Sequence, residues 1–203
     1  MASAWRWMGD GAVMRAYDGT DDQANALAIA AWRAIGAEHL DEVLDVIPTS
    51  RSITVALRGG TQPSARLREM LDATFDPTTQ SSTEHTIAVT YDGEDLHEVA
   101  RLHATTPDEV IAAHTAASYT VAFVGFAPGF GYLSGLPEAL HTARLDSPRT
   151  RVPAGSVAIG GRWTGVYPSQ SPGGWRLIGR TDAQMFDGAS LLAPGDRVRF
   201  VQT

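Results

Sequence analysis

The first 90 residues alternate short strand-like patterns with two stretches in which hydrophobic residues recur three and four positions apart, as on the face of a helix. The first helix is predicted to begin with Asp21 or Asp22 as its cap and to run to about Ile35. The second is predicted to begin at Pro63, since proline is favoured at the first helical position. Its apolar face carries Leu67, Met70 and Leu71. Alternating patterns predict strands at 5–8, 12–17, 43–47, 52–57 and 85–91. This order suits a split β-α-β, ferredoxin-like layer.

A polar stretch without apolar periodicity, residues 76–84, interrupts the pattern and predicts a domain boundary between residues 80 and 81. Two short helices follow. The second has a strong start signal, with Thr106 as cap, Pro107 in the first position and Glu109 completing a capping box. Val110, Ile111 and His114 should share one face of that helix.

From residue 119 onward the pattern becomes that of β-structure, with strands predicted near 120–125, 156–159, 174–178 and 197–201. Of the 20 glycines 13 lie from residue 118 on, as do 7 of the 11 prolines. Short strands separated by Gly/Pro turns favour a closed barrel over an open sheet. The sequence therefore predicts an α+β protein with an N-terminal α/β domain, 1–80, and a C-terminal barrel, 81–203.

Composition removes several kinds of chemistry. The chain has no cysteine, and all 16 of its Lys+Arg residues are arginine. Disulfides, thiolate metal sites, cysteine nucleophiles, Schiff bases and P-loop lysines are thereby excluded from the polypeptide. No apolar run approaches the roughly 20 residues of a membrane span, and the first residues lack the order of a secretory signal. We expect a soluble, cytoplasmic protein that makes no membrane contact.

Charge is distributed unevenly along the chain. Residues from 118 on carry 8 arginines against 5 acids, whereas the earlier residues carry 8 arginines against 18 acids, and the net charge is −7. Nucleic acid is not expected as a partner, because neutralising phosphates needs a concentrated cationic stripe. A small anionic ligand in the second half remains an open alternative.

Four segments rich in glycine and proline stand out in the second half. They read G-F-A-P-G-F-G-Y-L at 125–133, P-R-T-R-V-P-A-G-S-V at 148–157, G-G-R-W-T-G-V-Y-P at 160–168 and S-P-G-G-W-R-L-I-G-R-T at 171–181. In order and spacing they resemble the family that contains the B subunit of 5-oxoprolinase, the sporulation-kinase inhibitor of bacilli and proteins labelled allophanate hydrolase subunit 1. The third segment departs from the family pattern, with Arg162 and Trp163 where Gly-Gln is usual.

The resemblance implies a cyclophilin-like barrel and the B subunit of an ATP-dependent 5-oxoprolinase, a hydrolase that opens the lactam of 5-oxo-L-proline to L-glutamate. It further implies a C subunit, similar to allophanate hydrolase subunit 2, and an A subunit as partners. ATP and Mg²⁺ would act in the assembled complex, with neither bound tightly by this chain, and the chain alone would be inactive. The alternatives are a module that inhibits a histidine kinase and a subunit of an allophanate hydrolase or amide carboxyltransferase.

The candidate ligand-binding residues lie in the same segments. The aromatic rings at 126–132 either fill the end of a barrel or line a pocket. In the second case Gly129 and Gly131 would let backbone amides approach a ligand. Phe126, Phe130 and Tyr167 are predicted to line an apolar, partner-facing groove. Successive amides near Ser171 either form an anion nest or a tight hairpin turn. The full set is Phe126, Pro128, Gly129, Phe130, Tyr132, Tyr167, Ser171, Gly173, Gly174 and Arg180.

The candidate catalytic residues are Arg149, Arg151 and His114. Period two places the two arginines on one side of an extended segment, where they would bind a carboxylate or phosphate or form salt bridges to Asp146 or Glu138. His114 is either a proton carrier or a core histidine with satisfied nitrogens. No metal motif is present, and no tightly bound transition metal is expected.

Overall fold

The computed structural model describes residues 5–77 and 82–203. The chain divides into two compact units, Met1–Ser81 and Ser82–Thr203. The predicted domain boundary, between residues 80 and 81, lies outside the described residues.

The first unit is a four-stranded antiparallel sheet with two helices. Its strands have the order β1-β2-β4-β3. The elements are β1 (Trp5–Met8), β2 (Ala12–Ala16), α1 (Asp21–Ala37), β3 (Val43–Pro48), β4 (Ser52–Leu57) and α2 (Ala65–Asp72). Apolar residues of β2, β3 and β4 pack with those of α1 and α2 in one core, which includes the predicted helix face Leu67, Met70 and Leu71.

Both predicted helix starts in this unit were wrong by one or two residues. Thr20 caps α1, because its hydroxyl accepts from the Gln23 amide at 3.3 Å while the Gln23 side chain accepts from the Thr20 amide at 3.0 Å. Ser64 caps α2 by accepting from the Leu67 amide, so Pro63 precedes the helix instead of opening it. In each case a hydroxyl satisfies an amide at the helix end that would otherwise have no partner.

The sheet order places β4 between β2 and β3, the two strands that α1 connects. This is a split β-α-β arrangement, and the mixed α/β character of the unit is as predicted. The edge beside β2 is filled by the preceding strand β1. The ferredoxin-like assignment of this layer is not confirmed.

The second unit contains a seven-stranded sheet in the order β12-β9-β10-β7-β6-β13-β5 and a two-stranded ladder, β11-β8. Its elements are β5 (Glu84–Val89), α3 (Leu96–Leu102), α4 (Pro107–Ala116), β6 (Tyr119–Val124), β7 (Gly131–Ser134), a 3₁₀ turn (Glu138–Leu140), β8 (Arg149–Val152), β9 (Ser156–Gly160), β10 (Trp163–Val166), β11 (Ser171–Gly173), β12 (Arg176–Arg180) and β13 (Arg197–Gln202). The predicted capping box of Thr106 and Glu109 at the start of α4 is confirmed.

The two ends of this sheet meet and nearly close a barrel. Thr90, directly after β5, exchanges two backbone hydrogen bonds of 2.9 Å with Arg180 at the end of β12. Apolar residues from all seven strands form the interior, together with residues of α3 and α4. A nearly closed barrel in the second half is therefore as the glycine and proline spacing predicted.

Four strands of this unit were not predicted as separate elements: β7, β8, β10 and β11. Each has only three or four residues and contains or adjoins glycine or proline. A period-two pattern cannot be recognised in so few residues, and their place depends on pairing with distant strands.

Gly155 shows why the P-A-G-S turn needs glycine. Its φ is 77°, its amide donates to the Tyr167 carbonyl, and a Cβ there would overlap the carbonyl oxygen of Thr181. Gly188 has a similar φ of 72°, but a Cβ there would meet open space. Comparing substitutions at the two glycines therefore separates the energetic cost of backbone strain from that of steric overlap.

We predict that Gly188→Ala lowers the free energy of unfolding by about 1 kcal/mol, the cost of a side chain in the left-handed region. Gly155→Ala should cost about 1–3 kcal/mol more, because the turn must move away from Thr181. Urea unfolding of the two variants measures the difference. Equal losses would show that the close approach to Thr181 has no energetic weight.

Candidate functional site

Seven aromatic residues form one connected group on the outer side of the barrel, called here the aromatic cluster: Phe123, Phe126, Phe130, Tyr132, Trp163, Tyr167 and Trp175. Phe123 and Tyr132 stack across β6 and β7 with ring centroids 4.4 Å apart. Phe130 lies at the centre and makes edge contacts at 5.1 Å to both Tyr132 and Tyr167. Edge-to-face pairs at this spacing add to the stability gained from burial alone.

The predicted groove lined by Phe126, Phe130 and Tyr167 is not present in that form. Phe130 and Tyr167 are each only 2% exposed, whereas Phe126 is 62% exposed. The two buried rings pack with Val152, Ala158, Trp175 and Leu177 in a second core. Phe126 therefore stands alone on the surface, over rings that support it.

The loop between β6 and β7 holds Phe126 in a costly backbone conformation. Its φ is 72°, a value that bulky residues rarely adopt. The Gly125 amide donates to the Phe130 carbonyl and the Phe130 amide to the Ala127 carbonyl, which closes the loop on both sides of the ring. Strained backbone of this kind clusters at active sites, ligand clamps and switch regions.

The other predicted residues of this loop have structural surroundings. Gly129 has a φ of 84°, and a Cβ there would meet the Met185 carbonyl at 2.7 Å, so close packing requires glycine. Gly131 is buried in β7, Tyr132 is half-buried and Pro128 is exposed. The pKa of Tyr132 is raised, mainly by burial.

Arg149 has different partners from those predicted. Its guanidinium contacts Glu94 and Asp95, each at 2.8 Å, and not Asp146 or Glu138. Asp95 is buried and its other oxygen accepts from the Leu177 amide at 2.7 Å. Burial acts to lower the pKa of Arg149, but the hydrogen bond and charge of Asp95 outweigh it and raise that pKa above its ordinary value. The salt bridge connects β8 to the start of α3.

The other two arginines are exposed. Arg151 donates from Nε to the Gln170 side chain at 2.6 Å, a neutral partner. Arg180 donates from Nε to Asp92 at 2.8 Å, and this hydrogen bond raises the pKa of Arg180. Arg149 and Arg180 therefore both bind the acidic segment 92–95, which no sequence motif marks as a source of salt bridges.

Ser171, Gly173 and Gly174 do not form an isolated turn. Ser171–Gly173 is strand β11, paired with β8. The Gly174 carbonyl accepts from the Leu145 amide at 2.7 Å. Ser171 and Gly173 therefore lie in a paired strand and in neither a tight hairpin turn nor an anion nest.

His114 lies in the barrel interior with no exposed surface. Thr164 donates its only hydroxyl proton to the Ala158 carbonyl at 3.0 Å, so its oxygen accepts from His114 Nε2 at 2.9 Å. Nδ1 must then accept from the Tyr91 hydroxyl at 2.7 Å. Both ring nitrogens are satisfied with the imidazole neutral, and burial lowers the pKa of His114 to about 3. This geometry favours the core-histidine alternative over a proton carrier.

The structure thus brings several of the predicted residues together in two places. Phe126, Phe130, Tyr132 and Tyr167 share the aromatic cluster, and Arg149 and Arg180 share the segment 92–95. His114 belongs to the interior. Sequence reasoning missed Phe123, Trp163 and Trp175 as site residues, although Trp163 and Trp175 lie within the motif segments 160–168 and 171–181.

Comparison with known proteins identifies the family. The family described as "Carboxyltransferase domain, subdomain C and D" matches residues 3–192 of this chain. The chain therefore belongs to this family of carboxyltransferase domains.

Three relatives are named as the B subunit of 5-oxoprolinase. The protein from Haemophilus influenzae is 54% identical over 54% of this chain and 53% of its own length, so that match spans about half of the relative. The Escherichia coli O157:H7 protein is 43% identical over 84% of this chain and 83% of the relative. The Bacillus subtilis protein is 35% identical over 96% of this chain and 90% of the relative.

Solved structures agree with the fold. TTHA0988 is 34% identical with a TM-score of 0.85 over 95% of this chain and 40% of the larger chain. Kluyveromyces lactis urea amidolyase shares the fold at 18% identity, with a TM-score of 0.76 over 98% of this chain and 15% of its own. Across residues 5–77 and 82–203, no helix has the length and apolar character needed to cross a membrane.

We predict that His114→Gln removes part of the acid sensitivity of the fold. The pKa of His114 lies below its unfolded value, so acidification protonates the unfolded chain first and destabilises the fold below about pH 6.5. One such group contributes a slope of about 1.4 kcal/mol per pH unit down to the folded pKa. Urea unfolding between about pH 4 and 6 should show that slope reduced in the variant.

The same variant should lose about 1–3 kcal/mol at pH 7, because Tyr91 or Thr164 is left without a hydrogen-bond partner. His97→Gln is the control, since His97 is exposed. An unchanged pH slope in His114→Gln would contradict the neutral, buried histidine.

Proposed function

We propose that the chain is the B subunit of an ATP-dependent 5-oxoprolinase, the enzyme that hydrolyses 5-oxo-L-proline to L-glutamate. The observation that carries the proposal is the similarity to two relatives of that name along most of their length. The four Gly/Pro motifs all lie within the matched family region, residues 3–192. The barrel itself we assign to the cyclophilin-like class, on the resemblance of its motifs.

The alternative functions have less support. The kinase-inhibitor alternative has no observation of its own, and the Bacillus subtilis relative carries the oxoprolinase name. The likeness to urea amidolyase is one of fold. Neither gives a reason to prefer a different reaction.

We place the reaction in a complex with a C subunit and an A subunit. ATP would activate the lactam carbonyl as a phosphoryl ester before hydrolysis, with Mg²⁺ offsetting the phosphate charge. Among residues 5–77 and 82–203, no group of three or more His, Asp or Glu side chains is placed to hold one metal ion.

We further propose that the aromatic cluster contacts another protein of the complex through Phe126. The ring is exposed, supported at 5.4 Å by Phe130, and held by a strained backbone. Arginines accompany the cluster, with Arg144 over Trp175 at 5.8 Å and Arg162 over Trp163 at 4.8 Å. Tyr, Trp and Arg are the residues that most often dominate binding energy at interfaces.

The decisive experiment is co-expression with the A and C subunits, followed by an assay of ATP-dependent glutamate release from 5-oxoproline. We expect turnover by the complex and none by the purified chain. Robust turnover by the chain alone, or an inactive complete complex, would contradict the proposal.

We predict that Phe126→Gly weakens assembly without unfolding the chain. Glycine adopts a φ of 72° freely, and the relief of about 1–2 kcal/mol of strain offsets the partly buried ring that is lost. Complex formation, measured by size-exclusion chromatography, should fall while the melting temperature is maintained. Leu102→Ala serves as the control, because Leu102 is 46% exposed and outside the aromatic cluster. Equal effects of both variants on assembly would remove Phe126 from the interface.

The two arginines of the second motif should respond differently to lysine. Arg149→Lys should lower stability by about 1–3 kcal/mol, because an ammonium cannot hold Glu94 and Asp95 together. Arg151 has a neutral partner and is exposed, so it is available to an anionic ligand. Arg151→Lys should therefore reduce complex activity about tenfold or more and maintain the melting temperature. Thermal unfolding and specific activity of both variants test this, and unchanged activity in Arg151→Lys would exclude it from the site.

A further inference from the structure

A small cavity lies beside the point where the barrel closes. Its volume is about 220 Å³, and it is lined by residues of the segments 92–94, 153–156 and 177–180. These are the acidic segment after β5, the P-A-G-S turn and the L-I-G-R end of β12. Of its lining, only Arg180 was predicted from the sequence as a site residue.

The cavity walls are fixed by backbone contacts. Thr181 donates to the Gly155 carbonyl, Thr90 and Arg180 exchange two hydrogen bonds, and the Asp95 amide donates to the Leu177 carbonyl. A Cβ on Gly93 would overlap the backbone of β12. Such close contacts leave the walls little freedom to collapse, so the cavity is preformed.

Ser156, a largely buried residue, lies in the lining with a hydroxyl that has no partner among the described residues. Ser156 is only 6% exposed, and its backbone groups are bonded to Pro153 and Tyr167. Within the described part of the chain its hydroxyl makes no hydrogen bond to protein. Because the residue lines the cavity and its hydroxyl has no partner in the described protein, this hydroxyl can donate to a ligand there.

The Asp92–Arg180 ion pair supplies a donor and an acceptor side by side. Arg180 uses Nε for Asp92 Oδ2 at 2.8 Å. Among the described residues its two terminal nitrogens donate no hydrogen bond, and the other oxygen of Asp92 accepts none. A ligand at this pair therefore meets a free carboxylate oxygen next to free guanidinium N–H groups.

This arrangement matches one kind of amide. An amide that carries N–H and C=O on the same edge can donate to Asp92 and accept from Arg180 at once. Lactams have this geometry because the ring enforces it, and primary amides have it through their second N–H. Ordinary secondary amides do not, since they prefer the trans form by about 2.5 kcal/mol.

We infer that this cavity is the subsite for the amide group of the substrate, a lactam or primary amide. Asp92 would accept from its N–H, Arg180 would donate to its carbonyl oxygen, and the Ser156 hydroxyl would donate to the second lone pair of that oxygen. The inference rests on the proposed function for its substrate class. The cavity volume suits a single five-membered ring and not a nucleotide.

The test is an NMR titration of the isotopically labelled chain with 5-oxo-L-proline, 2-pyrrolidinone, urea and N-methylacetamide. We expect the two lactams to shift the amide signals of segments 92–95, 153–156 and 177–180, and N-methylacetamide to leave them in place. Urea binding in preference to both lactams would assign the cavity to primary amides and support the edge geometry. If N-methylacetamide binds as tightly as the two lactams, the inference is overturned.

Arg180→Gln should weaken lactam binding about tenfold, with Ser156→Ala showing a smaller loss in the same direction. Arg199→Gln is the matched control, because Arg199 is similarly exposed, 61% against 64%, and also faces one carboxylate. Near-ultraviolet circular dichroism checks that each variant is folded. Unchanged affinity in both cavity variants would exclude the site.

The inference and the proposed function can fail separately. Turnover of 5-oxoproline by the complex, without lactam binding at this cavity, would overturn the inference and leave the function. Lactam binding at the cavity in an inactive complete complex would support the subsite and contradict the function.

Discussion

The seam between residues 90–95 and strand β12 is the constraint on which the second unit depends. Two backbone hydrogen bonds at Thr90 join the sheet ends, and Asp95 accepts the Leu177 amide while its own amide donates to the Leu177 carbonyl. The seam requires glycine where the chains pass closest, at Gly93 and Gly179. It also sets where α3 begins, directly after Asp95. Opening it would expose the barrel interior and leave a buried carboxylate without its partners.

Charge neutralisation at the seam explains the different surroundings of the arginines. Asp92, Glu94 and Asp95 are brought close together, and Arg149 and Arg180 offset them. Because the Asp95 carboxylate is buried, its salt bridge is structural and its loss would leave an uncompensated charge. The Arg180 pair is exposed and contributes little to stability, so its groups are available for binding.

The barrel has a second apolar layer on its outside. A sheet with one solvated face would alternate apolar and polar residues, but β9 is buried at every position. Its outer side is covered by Trp175 and by the rings of the aromatic cluster. This outer layer supports Phe126 from beneath, which allows one strained, exposed ring to be held in a defined position.

The sequence by itself determined the features that depend on neighbouring residues. The capping box at Thr106, the apolar face of α2 and the glycine-rich turns follow from local backbone chemistry, and the density of those turns predicted a barrel. The family motifs predicted from the sequence alone to which family the chain belongs.

The tertiary structure decided which residues pair with each other in hydrogen bonds and salt bridges. Glu94 and Asp95 lie more than 50 residues from Arg149, and Thr164 lies 50 residues from His114. Burial of Phe130 and Tyr167 likewise depends on strands that pair across the sheet. Hydrogen bonds and burial at such separations depend on how the whole chain packs, and no local pattern of residues encodes them.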